Sequence, residues 1–205
     1  MPRSGEDARR RIVAAAERLF AEHGIDGVSL TEINTAAGQR NNSAVQYHFG
    51  DRDGVLTAIL EKHQPGIDDH RARLLDEASA AGKPSIEDIA PALVAPLAAK
   101  LADPDGGPEY LQIQAALLGH RGFGLLDEDV QPAAQRIIDV IPGARGGDDF
   151  TRTTRHTLVG TLLFHGLADF ARTHPDATSQ ECDEFVAILT ESITGLLVVP
   201  SSARR

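Results

Sequence analysis

Two segments of helical period, each only about two turns long, stand either side of Gly38, and they constrain the fold more than any other feature of the chain. In "SLTEINTAAG" (29–38), Ser29 and Glu32 have the spacing of a capping box, and Leu30, Ile33 and Ala37 make a buried side. In "NNSAVQYHF" (41–49), Val45 and Phe49 face inward at i, i+4, and Asn41 or Asn42 is the expected N-cap. Two short helices joined by a few residues containing Gly have the geometry of a helix-turn-helix. Before them, "DARRRIVAAAERLFAEHG" reads as a longer helix. Its Ile12, Val13, Ala16, Leu19 and Phe20 form one apolar stripe, and Gly24 stops it.

From Asp51 or Asp53 a further helix begins, with Val55, Leu56, Ile59 and Leu60 on one face; "QPG" (64–66) is expected to kink or end it. Downstream, "SIEDIAPALVAPLAAKLA", "PEYLQIQAALLGH", "EDVQPAAQRIIDVI", "DFTRTTRHTLVGTLLFHGLADFART" and "SQECDEFVAILTESITGLLVV" all read as helical. Gly/Pro/Asp-rich joints such as "DPDGG" and "PGARGGDD" separate them. The sequence shows no repeat and no strand pattern, and Ala and Leu are abundant while aromatics are 4%. The expected fold is all-α: a three-helix head over residues 1–52, a linking helix from about 53, and a larger helical body over 53–205.

The polar residues of the second short helix and its approach suit base-edge recognition. In a helix-turn-helix the second helix lies in the major groove, and its early residues meet the bases. Asn and Gln pair two-pronged with adenine, and Arg with guanine. Gln39, Arg40, Asn41, Asn42, Ser43 and Gln46 are therefore candidate DNA-contacting residues; Tyr47, His48 and Arg52 are candidates for phosphate, and Ser29 and Thr31 are candidates on the first short helix. Each has a plainer reading beside it. Asn41 or Asn42 can simply cap a helix, His48 can fill a gap near Phe49, and Arg9 to Arg11 can be a solvated helix face.

The segment "RRRIVAAAERLFAEHGIDGVSLTEINTAAG…AVQYHFGDRDGVLTAIL" resembles the N-terminal DNA-binding domain of TetR-type transcriptional regulators, a resemblance that covers roughly residues 8 to 62. Its most specific parts are "RLFAEHG", the "AAG" before the turn, and "YHFGDRDGVL". The resemblance implies that Val45 and Phe49 are the buried positions of the recognition helix, Gln46 faces bases, Tyr47 faces phosphate, and Arg52 is the basic residue opening the fourth helix. Gln39-Arg40-Asn41-Asn42 departs from the family pattern, being polar throughout and one residue longer.

The resemblance also implies a homodimer paired through the last two long helices, a palindromic double-stranded DNA operator, and a body that takes a small-molecule effector. Gly160, Leu163, Gly166, Phe185, Leu189, Ile193 and Leu196 are the candidate dimer residues. Tyr110, Gln112, Gln114, His120, Phe123, Phe164, His165 and Asp169 are polar or aromatic groups within apolar helices, the kind that line a ligand pocket. All but Gln112 are taken as ligand-binding candidates. His165 and Asp169, four apart, can equally be a side-chain pair.

The net charge of −10 does not decide the matter. Residues 1–63 hold eight Arg/Lys against nine Asp/Glu, and the remainder holds twelve against twenty-one, so the acidity lies in the body. Cys182 alone allows no internal disulfide or Cys-based metal cluster, and no apolar run approaches the ~18 residues of a membrane span. A cytoplasmic protein without metal or cofactor is expected. No nucleophile-elbow, zincin, P-loop or dinucleotide motif is present, so enzymatic activity is not expected. The competing expectation is a helical adaptor or ligand-binding protein without specific DNA recognition, which accounts for the acidic body but not for the head.

Overall fold

The computed structural model describes residues 3–39, 41, 43–80, 82–121, 133, 136–137 and 149–198. Eight α-helices run through them: α1 (Arg3–His23), α2 (Leu30–Ala36), α3 (Ala44–Phe49), α4 (Arg52–Ser79), α5 (Ile86–Ala98), α6 (Gly107–Arg121), α7 (Asp149–Thr173) and α8 (Ser179–Val198). A 3₁₀ segment, Ala99–Ala102, extends α5. Among the described residues there is no strand, and no helix is long and apolar enough to cross a membrane.

Local chemistry sets the helix ends. Ser29 and Glu32 form the expected reciprocal capping box on α2. At its other end Gly38 takes φ +63°, Gln39 N–H donates to Asn34 O and Gly38 N–H to Thr35 O, a Schellman closure. Asp51 caps α4 by accepting from Gly54 N–H at 2.9 Å. Gly54 itself is required by packing: a Cβ there would stand 1.8 Å from the Phe49 carbonyl oxygen, so α4 starts directly against the end of α3.

Two expectations need correction. The "QPG" segment does not end the linking helix, since α4 continues through Pro65 to Ser79. Burial explains how: Ile67, Asp68, Arg71 and Leu75, beyond the proline, are all covered by the body, and tertiary packing offsets the missing backbone bond. The N-cap of α3 is Ser43, not Asn41 or Asn42, and its side chain makes no cap bond.

The stripe of α1 is buried as expected, with Ile12 and Ala16 fully covered and Leu19 half-covered at its edge. Head and body do not have separate cores. One apolar cluster runs from Ile12 and Phe20 through Ile33, Val45 and Ile59 to Tyr110, Leu167 and Ile193. Helix α1 packs on α6 as well as on α2 and α4, while α6 packs on α7, and α5 on α4 and α8.

Candidate nucleic-acid interface

Helix α3 has six residues, too few to persist in water without tertiary support. Val45 is fully buried and Ala44 nearly so, which docks one side on the head. Phe49 closes the far end, half-buried, with the Arg9 guanidinium 5.3 Å above its ring. That docking turns Gln46 and Tyr47 outward. Tyr47 is 84% exposed, its ring held only by an edge contact to His48 at 5.1 Å. A large aromatic left this open on a rigid helix presents both a hydroxyl and an apolar face to whatever docks there.

The start of α3 is secured by Asn34, which the sequence reading missed. Asn34 lies on α2 and is 2% exposed, and its Oδ1 accepts from the buried Val45 N–H at 3.2 Å. Val45 holds the second position of α3, whose N–H is among those a helix cannot satisfy internally. The cap that Ser43 does not supply comes from the neighbouring helix. The only sequence signal was an Asn inside an otherwise apolar helix face.

Asn41 is exposed, and its Oδ1 accepts from Ser43 N–H at 3.0 Å, a local turn that feeds the chain into α3. Gln39 is half-buried and donates to Ala37 O. Arg40 and Asn42 lie outside the described residues. Ser43 and Thr31 are exposed. Ser29 is exposed too, but its hydroxyl is taken up by Glu32, and those bonds hold the Glu32 carboxyl below its ordinary range.

Arg52 is bound within the protein. Its Nη1 stands 3.3 Å from Asp26 Oδ1 and its Nη2 donates to Val28 O at 3.0 Å, so the guanidinium ties the start of α4 to the α1–α2 turn. Other head cations are similarly engaged: Arg9 with Glu61 at 3.5 Å, and Arg10 with Asp7.

In the body the structure separates the ligand candidates. Tyr110 and Gln114 are buried together, the Gln114 amide donating to the Tyr110 hydroxyl, with the His63 ring tilted against Tyr110 at 4.5 Å and Arg71 and Asp68 on the facing side of α4. Burial pushes the Tyr110 phenol up to about 12, against the smaller opposing effects of Gln114 and Arg71. Phe164 is half-buried. His165 and Asp169 are exposed, and Asp169 pairs with Arg172 rather than with His165. Phe123 and the His120 side chain lie outside the described residues. Of the dimer candidates, Gly160, Leu163, Leu189 and Ile193 are buried within the protomer; Gly166, Phe185 and Leu196 are half-buried. Among the described residues, the exposed large apolar side chains on the last two helices are Leu158, Ile188 and Val198.

Residues 12–59, which span α1 to the first two turns of α4, match the family model of bacterial regulatory proteins, tetR family. The head is thus similar to the DNA-binding segment of that family. The chain is 34% identical over 56 residues to the HTH-type transcriptional repressor AcnR of Corynebacterium glutamicum, and 32% identical over 56 residues to AcnR of Corynebacterium efficiens. Each match covers 27% of this chain and 29% of the repressor, so the chain spans less than a third of the length of these relatives. The fold of the whole chain also recurs in solved structures. SmeT, the repressor of the Stenotrophomonas maltophilia multidrug efflux pump SmeDEF, aligns with a TM-score of 0.55 at 18% identity, over 97% of this chain and 98% of that one. The fatty acid degradation regulator FadR of Bacillus halodurans aligns at 0.54 and 14% identity, over 97% of both chains.

Proposed function

We propose that this protein is a sequence-specific DNA-binding transcriptional repressor that acts as a homodimer and leaves its operator when a small molecule occupies the body. The observation that carries the reading is α3 itself: a helix docked by Val45 and capped from α2, presenting Gln46 and Tyr47 to solvent beside exposed Asn41 and Ser43. Such a helix has no use in holding the fold together on its outer side. Gln46 reads a base edge, Tyr47 bonds phosphate, and the rigid support keeps both in register.

The dimer forms across the outer faces of α7 and α8, where Leu158 is 51%, Ile188 58% and Val198 48% exposed. Paired heads then read a two-fold operator. An effector acts only through its preference for one arrangement of the heads over another. Tyr110 and Gln114 are the polar groups of the body best placed to recognise it, because buried hydrogen-bonding groups in an apolar bundle discriminate strongly between ligands. Selection of bound sequences from a random DNA pool tests the reading in one step. It is expected to return two inverted half-sites at a fixed spacing; recovery of no enriched sequence refutes it.

A further inference from the structure

A buried ionic cluster lies where the head meets the body, away from α3. Glu17 of α1 is 2% exposed, though a carboxylate in that position is costly unless paired. Its Oε1 accepts from His63 Nε2 at 2.8 Å and from Lys62 Nζ at 3.1 Å, and its Oε2 accepts from Lys62 Nζ at 2.9 Å. Both donors belong to α4. Lys62 Nζ also reaches Asp105 Oδ1 at 2.8 Å, in the turn that opens α6. Next to it, Gly106 has φ +80°, and a Cβ there would stand 2.4 Å from Glu17 Oε2, so the backbone of this turn lies directly on the carboxylate. The His63 ring in turn packs on Tyr110 of α6. Burial works against the Lys62 charge, but its bonds to Asp105 and Glu17 outweigh that and hold the ammonium above its ordinary range.

One carboxylate of the head is thereby bonded directly to the linking helix and, through Lys62 and the packing of Gly106, tied to the turn that leads into a body helix. Apolar contacts alone let helices slide by small amounts, whereas a buried ion pair tolerates little displacement before a charge is left unpaired. The cluster therefore sets the angle between α1 and α6. If two bodies are fixed to one another, that angle fixes the separation of the two recognition helices. We propose that Glu17, which does not touch DNA, is a positioning residue that determines the operator's half-site spacing. The inference rests on the function proposed above, since it needs two heads reading two half-sites.

The test uses the full chain and operators whose central spacer is lengthened or shortened by one base pair. Wild-type protein binds the selected spacing much more tightly than its neighbours. Glu17→Gln keeps the shape of the side chain but removes its charge, and is expected to shrink that preference about fivefold or more while leaving base preferences within each half-site unchanged. A merely structural role would lower the active fraction equally on every spacing and leave the ratio intact. Asp105→Asn, at a side chain 79% exposed, removes the outer partner without burying anything new and is expected to shift the ratio the same way, by less. A folded Glu17→Gln protein with the wild-type ratio overturns the inference. Should Glu17→Gln fail to fold, an unchanged ratio in Asp105→Asn overturns it. Failure of the functional reading shows instead in the wild type, as the absence of paired half-sites, and takes this inference with it.

Discussion

Replacing Asn34 should loosen the recognition helix without touching any residue that faces solvent on it. Asn34 is 2% and Val45 0% exposed, so water cannot replace the bond from Val45 N–H to Asn34 Oδ1. Asn34→Leu keeps the volume but offers no acceptor, and an orphaned buried donor costs about 1–3 kcal/mol. Loss of a helix cap costs about 1 kcal/mol, and both figures describe the same bond, so they are not added. About 2 kcal/mol is the working figure. It should appear in urea unfolding as a lower midpoint at constant slope, or in heating as a fall of roughly 4–8 °C. Asn34→Asp restores an acceptor beside the positive end of α3 and should recover part of the loss despite burial of its charge. Gel-shift affinity should follow the same order. Asn34→Leu protein as stable as the wild type would refute the cap, as would an Asn34→Asp protein no better than Asn34→Leu.

Gln46→Ala should relax sequence preference at one or two base pairs of each half-site, and Tyr47→Ala should weaken all sequences alike; quantitative binding to single-base operator variants separates the two. Arg52→Ala should lower stability by about 1 kcal/mol through loss of its ties to Asp26 and Val28, and leave the logarithmic salt slope of binding unchanged. A slope flatter by about 0.9 per site would show that Arg52 leaves Asp26 for phosphate. Tyr110→Phe leaves the Gln114 amide without its acceptor and should cost about 1–3 kcal/mol at neutral pH. The folded phenol titrates near 12, above its unfolded value, so its contribution is complete below about pH 10 and is lost as pH rises toward 12. Urea unfolding should therefore show the gap between the two proteins shrinking above about pH 10, by up to about 2–3 kcal/mol.

The head was legible because its signals are local. Ser29 and Glu32 are three apart, Gly38 follows α2 directly, and Val45 and Phe49 are one turn apart, so each feature could be read within a short window. What failed to show were features made by residues far apart in the chain. Asn34 caps Val45 eleven positions away, and Arg52 finds Asp26 twenty-six positions away. The Glu17 cluster joins positions separated by 45 and 46 residues. Periodicity also says which face of a helix is apolar but not which neighbour covers it. On α8, for example, Leu189 and Ile193 face the protomer's own core while Ile188 lies on the open side, a division that the apolar pattern alone does not make. Pro65 failed for the opposite reason, because a local rule was applied where the body buries the helix beyond it.

The head's charges raise a question of how it would hold a polyanion. Residues 1–63 carry slightly more acid than base, and the structure already commits Arg9, Arg10, Arg52 and Lys62 to carboxylates of the chain itself. A cation that must leave an internal partner to reach phosphate gains little, because one ion pair replaces another. Among the described residues, the polar groups facing outward on α3 and its approach are uncharged: Gln46, Tyr47, Ser43, Asn41 and Thr31. Neutral donors and backbone N–H groups bond phosphate without releasing the counterions that a bound Lys or Arg releases, so they contribute affinity with little dependence on salt. They also reward geometry more than proximity, since a hydrogen bond is lost within a fraction of an ångström where a Coulomb attraction is not. A head built in this way depends on being held in place. That dependence gives a common reason for the cap from Asn34, the tie through Arg52 and the buried carboxylate of Glu17: each fixes an angle that a more basic head could leave loose.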